Sequence, residues 1–330
     1  MSDTIGIQKQ QSKFRFMDFI LQYGVLIGMA LILIIFELID HRFFNPKNIL
    51  GVLNSSTLLI LLSLGMMMTM SVRGIDLSVA QVADASGVIV AMLILGGMSI
   101  PLAVTIAVSF GLAVGLVNCV VISWLGVPAI IGTLGMMFII RSIELSLTNG
   151  AQPQILFTLL PKRINGFFFI GQGHFGPVTM LMILCAVFVI ILYFVKERSV
   201  LGRHMDAVQG NVRASIISSI NVRAVFGSAF IISSVLCAIV GVMLVSRSGN
   251  AVPRGVETYL TDCFVAVYLG TLFSKNRQFN VIGTVIGALF VGFLSNFFTL
   301  IGFGAAFKNL FNGIFIILAV ALSVVQSRKR

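Results

Sequence analysis

The sequence predicts an all-α, polytopic membrane protein with about ten transmembrane helices and both termini in the cytoplasm. Three observations carry that reading. Of the 330 residues, 58% are hydrophobic and 10% charged, whereas an ordinary soluble domain carries about a quarter charged residues. The apolar residues form runs close to the ~20 residues that a helix needs to cross the hydrocarbon core. The cations gather at the ends of these runs, where they orient a membrane chain.

Residues 1–18 read as a cytoplasmic N-terminal tail. The first span, 19–39, follows Lys9, Lys13 and Arg15 and has no small-residue cleavage site behind it, so it is expected to stay as an uncleaved span. Further spans are expected at 49–71, 76–97, 100–123, 127–148, 176–195, 224–246, 259–274, 281–300 and 306–326, with a basic tail at 327–330. The third is polar at its start, the fourth and fifth are divided only by Gly126 and Val127, and the eighth is short. An even count puts both ends on one side. With the N-terminus inside, the cations of the first tail, of the 196–223 connection and of the last tail fall in the cytoplasm, about a two-to-one excess over the outside. Asn149 to Phe175 and Ser246 to Thr258 then face the periplasm. Residues 19–326 form a single transmembrane domain.

A net charge of +11 is accounted for by topology, so nucleic-acid binding is not expected. Cys119, Cys185, Cys237 and Cys263 lie within apolar runs without a CxxC pair and read as core residues. His41, His174 and His204 fall in three separate connections, so no metal site is expected, and nothing in the composition calls for a cofactor. No GxxxxGK[ST] phosphate loop is present, so any ATPase must be another chain.

In "SVRGIDLSVA", Arg73 and Asp76 stand three residues apart between apolar runs. Arg73 reads as an orienting charge in a tight turn, with Gly74 permitting the reversal. Asp76 reads as a carboxylate at the N-terminus of the third span, with the inner end of a solute path as the other reading. Ser78, Gln81 and Asp84 share one helical face that should not meet lipid; interhelical bonding and pathway lining both fit it. Arg141 and Glu144, three apart in span five, are expected to neutralise each other, and Asp262 to cap span eight. "GLAVG", "GTLG" and "GTVIGALFVG" place small residues at intervals that let helices approach closely.

The longest cytoplasmic connection, Lys196 to Arg223, is basic, helix-compatible and rich in small residues, which suits a docking surface. "LGRHMDAVQGNVRASIISSINV", "GTVIGALFVGFLSN", "GIDLSVA", "GLVN" and "PAIIGTLGMMFIIR" resemble the permease subunits of bacterial ribose, arabinose and galactose-type ABC importers, from about residue 45 to the C-terminus. The resemblance implies a ten-helix permease of the inner membrane that pairs with a second permease chain, as a homodimer or heterodimer. It receives a sugar from a periplasmic solute-binding protein and is driven by a cytoplasmic ATP-binding subunit, without covalent chemistry of its own. It also places Gly202, Arg203, Ala207, Gly210, Asn211 and Ala214 in the ATPase-contacting loop. Two features depart from the family: "LGTLFSKNRQFNVIG" keeps only Gly270 of the usual glycine pairs, and Asp84 stands where a small or hydroxyl residue is usual. An ion-coupled secondary transporter using Asp84 or the Arg141 and Glu144 pair is the alternative.

Overall fold

The computed structural model describes residues 24, 27–150, 152–274, 278–304, 306–315 and 317. The two terminal tails, Lys275, Arg277 and the terminus-proximal parts of the first and last expected spans lie outside the described residues. The helices are α1 (Ile27–Ile39), α2 (Pro46–Met70), α3 (Val79–Leu95), α4 (Ile100–Asn118), α5 (Ala129–Leu147), α6 (Pro161–Gln172), α7 (Met180–Tyr193), α8 (Val200–Gly210), α9 (Val212–Ile217), α10 (Val222–Ser248), α11 (Tyr259–Thr271), α12 (Val281–Leu300) and α13 (306–315). α4 and α7 each end in a π-helical turn, Cys119–Trp124 and Phe194–Arg198. Six of the described helices are long and apolar enough to cross a membrane, namely α2, α4, α5, α7, α10 and α12, and α1 and α3 are shorter apolar helices. The chain is therefore an all-α, multi-pass membrane protein.

Burial separates central helices, α2, α3 and α10 among them, from peripheral ones. In α2 and α10, 67% of the most apolar stretch is buried, against 22% in α5 and α7. α10 packs along α2, α3 and α4, and α12 packs along α2 and α11. Lipid tails are as apolar as leucine, so burial of apolar area does not by itself drive these contacts; close packing does. A Cβ on Gly241 of α10 would collide with the carbonyl of Ala83, and one on Gly87 of α3 would lie 2.9 Å from Val245. Backbone therefore meets backbone along α3 and α10. Gly270, Gly283 and Gly287 play the same part where α11 crosses α12. Of the expected small-residue sites, "GLAVG" packs on α10 through Gly111 and Gly115, whereas Gly135 of "GTLG" has open space around it. Asn48 and Asn296 exchange two amide hydrogen bonds of 2.9 Å between α2 and α12.

The connections collect at two ends. At one, β1 (Gln154–Ile155) pairs antiparallel with β4 (Asn250–Ala251), and β2 (His174–Phe175) with β3 (Val178–Thr179). The segments expected on the periplasmic side thus meet each other. They also contain α6, which no feature of the sequence reading anticipated. At the other end, the last turn of α8 lies against the 71–78 turn through Arg73. At the α1–α2 corner, hydrogen bonds from the Arg42 side chain and backbone hold the Asp40 carboxyl down at about 2.

Two local expectations are corrected. Asp262 does not cap α11: its oxygens accept from Lys308 Nζ at 2.6 Å and Asn312 Nδ2 at 2.5 Å, tying α11 to α13. The tight reversal after α2 is made by Arg73, at φ 61°, and not by Gly74. Gly74 is glycine for space, since a Cβ there would lie 2.8 Å from the Phe230 ring.

Gly241→Val should force α3 and α10 apart and destabilise the fold by at least the ~1–3 kcal/mol of core overpacking. Gly135→Ala should leave it unchanged. Thermal unfolding of the purified chain in mild detergent separates the two, and equal melting temperatures would contradict the backbone contact.

Candidate functional site

The first polar group sits where the chain enters α3. Asp76, 1% exposed, accepts through Oδ1 from the Ser78 N–H at 2.9 Å and the Ser78 hydroxyl at 2.6 Å. Ser78 is the N-cap residue of α3, so the carboxylate satisfies a donor that an α-helix start leaves open. Asn118 of α4 donates to the Ser78 hydroxyl at 3.4 Å. From α5, the Thr133 hydroxyl accepts from Leu77 N–H at 3.1 Å and lies 3.1 Å from the Ile75 carbonyl. Thr133 was missed in the sequence reading. Its signal is a hydroxyl one turn into an apolar helix that starts after Pro128.

The second group lies further along α3. Gln81 and Asp84 are both buried, and Gln81 Oε1 has no hydrogen-bond partner among the described residues. Asp84 Oδ1 accepts from the Val256 N–H at 2.9 Å, and Glu144 Oε1 accepts from the Arg254 N–H at 3.3 Å. Two carboxylates from α3 and α5 thus hold the non-helical 250–258 segment by its backbone. Arg141 and Glu144 make no direct ion pair, although the Arg141 charge still acts on Glu144 through space. Arg141 Nη1 instead lies 3.7 Å from Glu257 Oε1, and Arg254 Nε donates to Glu257 at 3.0 Å. The physical reason is that Glu144 is drawn to unsatisfied backbone donors, which leaves Arg141 to the carboxylate on the loop. A cavity of about 170 Å³ opens beside Asp84, between Gly87 of α3, Gly241 and Val245 of α10, and the 250–255 segment.

The third group is the 196–223 connection, which folds as two short helices. Lys196, its side chain 1% exposed, pairs with Asp206 at 2.5 Å, and Glu197 Oε1 accepts from the Val281 N–H at the start of α12 at 3.1 Å. Ser199 caps α8 through the Gly202 N–H at 3.1 Å, and Gly202 leaves room for the Lys196 carbonyl. Asn211 caps α9 through the Ala214 N–H at 3.1 Å. Arg73 Nε and Nη2 donate to the Gln209 and Gly210 carbonyls at 2.6 and 2.7 Å. Gly202, Met205, Val208 and Ser215 face the protein. Arg203, Ala207, Gly210, Asn211 and Ala214 are exposed, beside Ile216 and Ile217, the latter 85% exposed. The twelve sequence-predicted residues therefore fall into separate places: Asp76 and Ser78 at the start of α3, Asp84, Arg141 and Glu144 around the 250–258 segment with Gln81 between, and the remaining six on α8–α9.

Three free cysteines are buried and Cys119 is partly so, and no metal-binding group of His, Cys, Asp or Glu occurs among the described residues. A family model described as branched-chain amino acid transport system / permease component matches residues 48–320. The chain is 29% identical to a ribose import permease protein of Bacillus subtilis, over 98% of this chain and 99% of that one. It is 31% identical to a D-allose transport system permease protein of Escherichia coli K12, over 99% and 100%. It is 26% identical to an autoinducer 2 import system permease protein of Photorhabdus luminescens, over 90% and 87%. No solved structure matches. The chain belongs to the branched-chain amino acid transport system permease component family and is a multi-pass inner-membrane permease subunit of an ABC importer.

Proposed function

We propose that this permease carries a sugar or sugar-like solute, through ten spans with both termini in the cytoplasm, as one of two permease chains in the importer. The N-terminal tail 1–18, the 196–223 connection and the 327–330 tail then lie in the cytoplasm around a single 19–326 permease domain. The sugar-type permeases among the relatives support the solute class. Support for the orientation comes from aromatic and cationic side chains at the α8–α9 end. Arg223 lies 5.9 Å over Trp124 and Arg198 5.7 Å over Tyr193, the pairing of belt and charge expected at a cytoplasmic interface.

One observation carries the mechanism. α8 and α9 are locked to the bundle on one side, and on the other present small residues, Arg203 and two exposed isoleucines to the aqueous phase. An uncovered apolar tip on a rigid, polar-rimmed platform suits a groove on a partner. We assign it to the cytoplasmic ATP-binding subunit, contacted by Arg203, Ala207, Gly210, Asn211 and Ala214; Gly202, which the resemblance also placed in that contact, is turned inward under the Lys196 carbonyl. A solute path along α3 uses Asp76, Ser78, Gln81, Asp84, Arg141 and Glu144; the unpartnered Gln81 oxygen supports it. No observation favours the secondary-transporter reading: Asp84 and Glu144 each spend an oxygen on a backbone N–H, and Arg141 is paired with Glu257.

The Gly210→Leu, Arg203→Ala double variant should insert and fold normally, because Gly210 has open space around it. Loss of ~1.4 kcal/mol or more at the interface should cut ATPase co-purification about tenfold and remove solute-stimulated ATP hydrolysis. Normal assembly with normal uptake would remove the docking assignment.

Asp84→Asn keeps an acceptor for Val256, whereas Asp84→Leu strands a buried N–H at a cost of about 1–3 kcal/mol. Uptake and melting temperature should rank wild type and Asn above Leu. A leucine variant equal to wild type in both would sink the role.

Reporter fusions at Arg330 and Lys162 should report cytoplasm and periplasm respectively. The same side for both would break the ten-span topology.

A further inference from the structure

α8 is anchored in two different ways. In the turn that closes α7, Lys196 pairs with Asp206 past the middle of α8, and Glu197 accepts from Val281 N–H at the start of α12. The last turn of α8 is held by Arg73, whose Nε and Nη2 take the Gln209 and Gly210 carbonyls at 2.6 and 2.7 Å. Those carbonyls lie where the helix breaks at Asn211, φ −156°, and belong to the acceptors that a helix end leaves without internal partners. They also form the negative pole of the α8 dipole, which favours a cation. Two parallel N–H groups on a planar guanidinium fix direction as well as distance.

The backbone of Arg73 points the same way. At φ 61° it occupies the left-handed region that glycine adopts without strain and an L side chain does not. A glycine would fit this turn more easily, so the arginine side chain supplies the interaction that offsets the strain. The turn itself is tight: Arg73 N–H donates to Met70 O at 3.1 Å and Gly74 N–H to Thr69 O at 3.0 Å. Three residues on, Asp76 holds the start of α3 through Ser78. α3 is an unbroken helix from Val79 to Leu95, and Asp84, about 9 Å of rise beyond Ser78, holds the 250–258 segment at Val256.

We propose that Arg73 is a positioning residue of the transport cycle: it joins the last turn of the docking helix α8 to the turn that starts α3, so that a displacement of α8 by the ATPase is delivered through α3 to the 250–258 segment. This rests on the docking role of α8–α9 given above. A purely topological charge would need no partner on α8, and a purely structural one would not alter the response of a distant segment to ATP.

The test uses the full permease assembled with its ATPase, with a nitroxide label at Val252→Cys in a Cys119→Ser background; Val252 is 47% exposed and lies on the 250–258 segment. Arg73→Gly removes the side chain while relieving the backbone, so folding should be preserved. In the wild type at position 73, Mg-ATP should change the label's spectrum. With Arg73→Gly the ATPase should remain bound and hydrolyse ATP, while the spectral change is lost; Arg73→Lys, which offers a point charge in place of a fork, should restore part of it. A full ATP response in Arg73→Gly overturns the proposal. So does the absence of any response with Arg73 intact, or loss of the ATPase from Arg73→Gly alone, which would make Arg73 part of the docking surface. Failure of the Arg73-containing chain to hold its ATPase through α8–α9 would instead sink the docking reading. Should Arg73→Gly not accumulate, Arg73→Lys decides: a full response overturns the proposal and a reduced one supports it.

Discussion

The contact on which the rest of the structure depends is the approach of α3 to α10 at backbone distance. In a bilayer it is packing and not burial from water that holds helices together, and a glycine at position 241 lets the Ala83 carbonyl lie where a side chain would otherwise stand. The seam sets the depth of α3 in the bundle. It places Asp84 under the 250–258 segment and leaves the small cavity beside it. α4 is drawn onto the other side of α10 by the same device, through Gly111 and Gly115, and the lipid-facing helices arrange themselves around this centre.

Magnitudes decide what the charged residues do. The Arg141–Glu257 pair, 3.7 Å long and about a third exposed, is of a kind that contributes up to ~1 kcal/mol. A buried backbone N–H left without an acceptor costs about 1–3 kcal/mol. The carboxylates of Asp76, Asp84 and Glu144 accordingly go to backbone donors, where the chain leaves helical structure inside protein. Arg73 mirrors them with carbonyls. At the start of α3 and along its first half the ionisable groups therefore act on peptide units more than on one another.

Much of the architecture was legible in the sequence because the apolar runs and their basic ends follow from the thickness and polarity of the bilayer. The helix-compatible 196–223 connection and its glycines could be read for the same reason: composition there departs from the surrounding runs. Partner choice could not be read. Spacing put Arg141 beside Glu144 and made Asp262 a cap, yet both carboxylates answer to groups more than forty residues away, Arg254 and Lys308. Helical periodicity carries no information about such distant donors. The left-handed turn at Arg73 was assigned to its glycine neighbour because propensity favours glycine, and the hydrogen bonds that hold an arginine there come from α8. α6 escaped notice because its residues are too polar for a span and its helix is short.

The π-helical turns that close α4 and α7 bear on how chains of this kind can differ in length. Each accommodates one residue beyond an α-helical turn, so everything after it is rotated by about 100° relative to the helix before. Removing a residue between Cys119 and Trp124 would restore the regular pitch without breaking the helix. It would swing Trp124 away from Arg223, which lies 5.9 Å from its ring, and bring a different side chain to that surface. A single-residue gain or loss there thus exchanges the residues presented at the membrane boundary, while Gly111 and Gly115, on the preceding turns of α4, keep their places against α10.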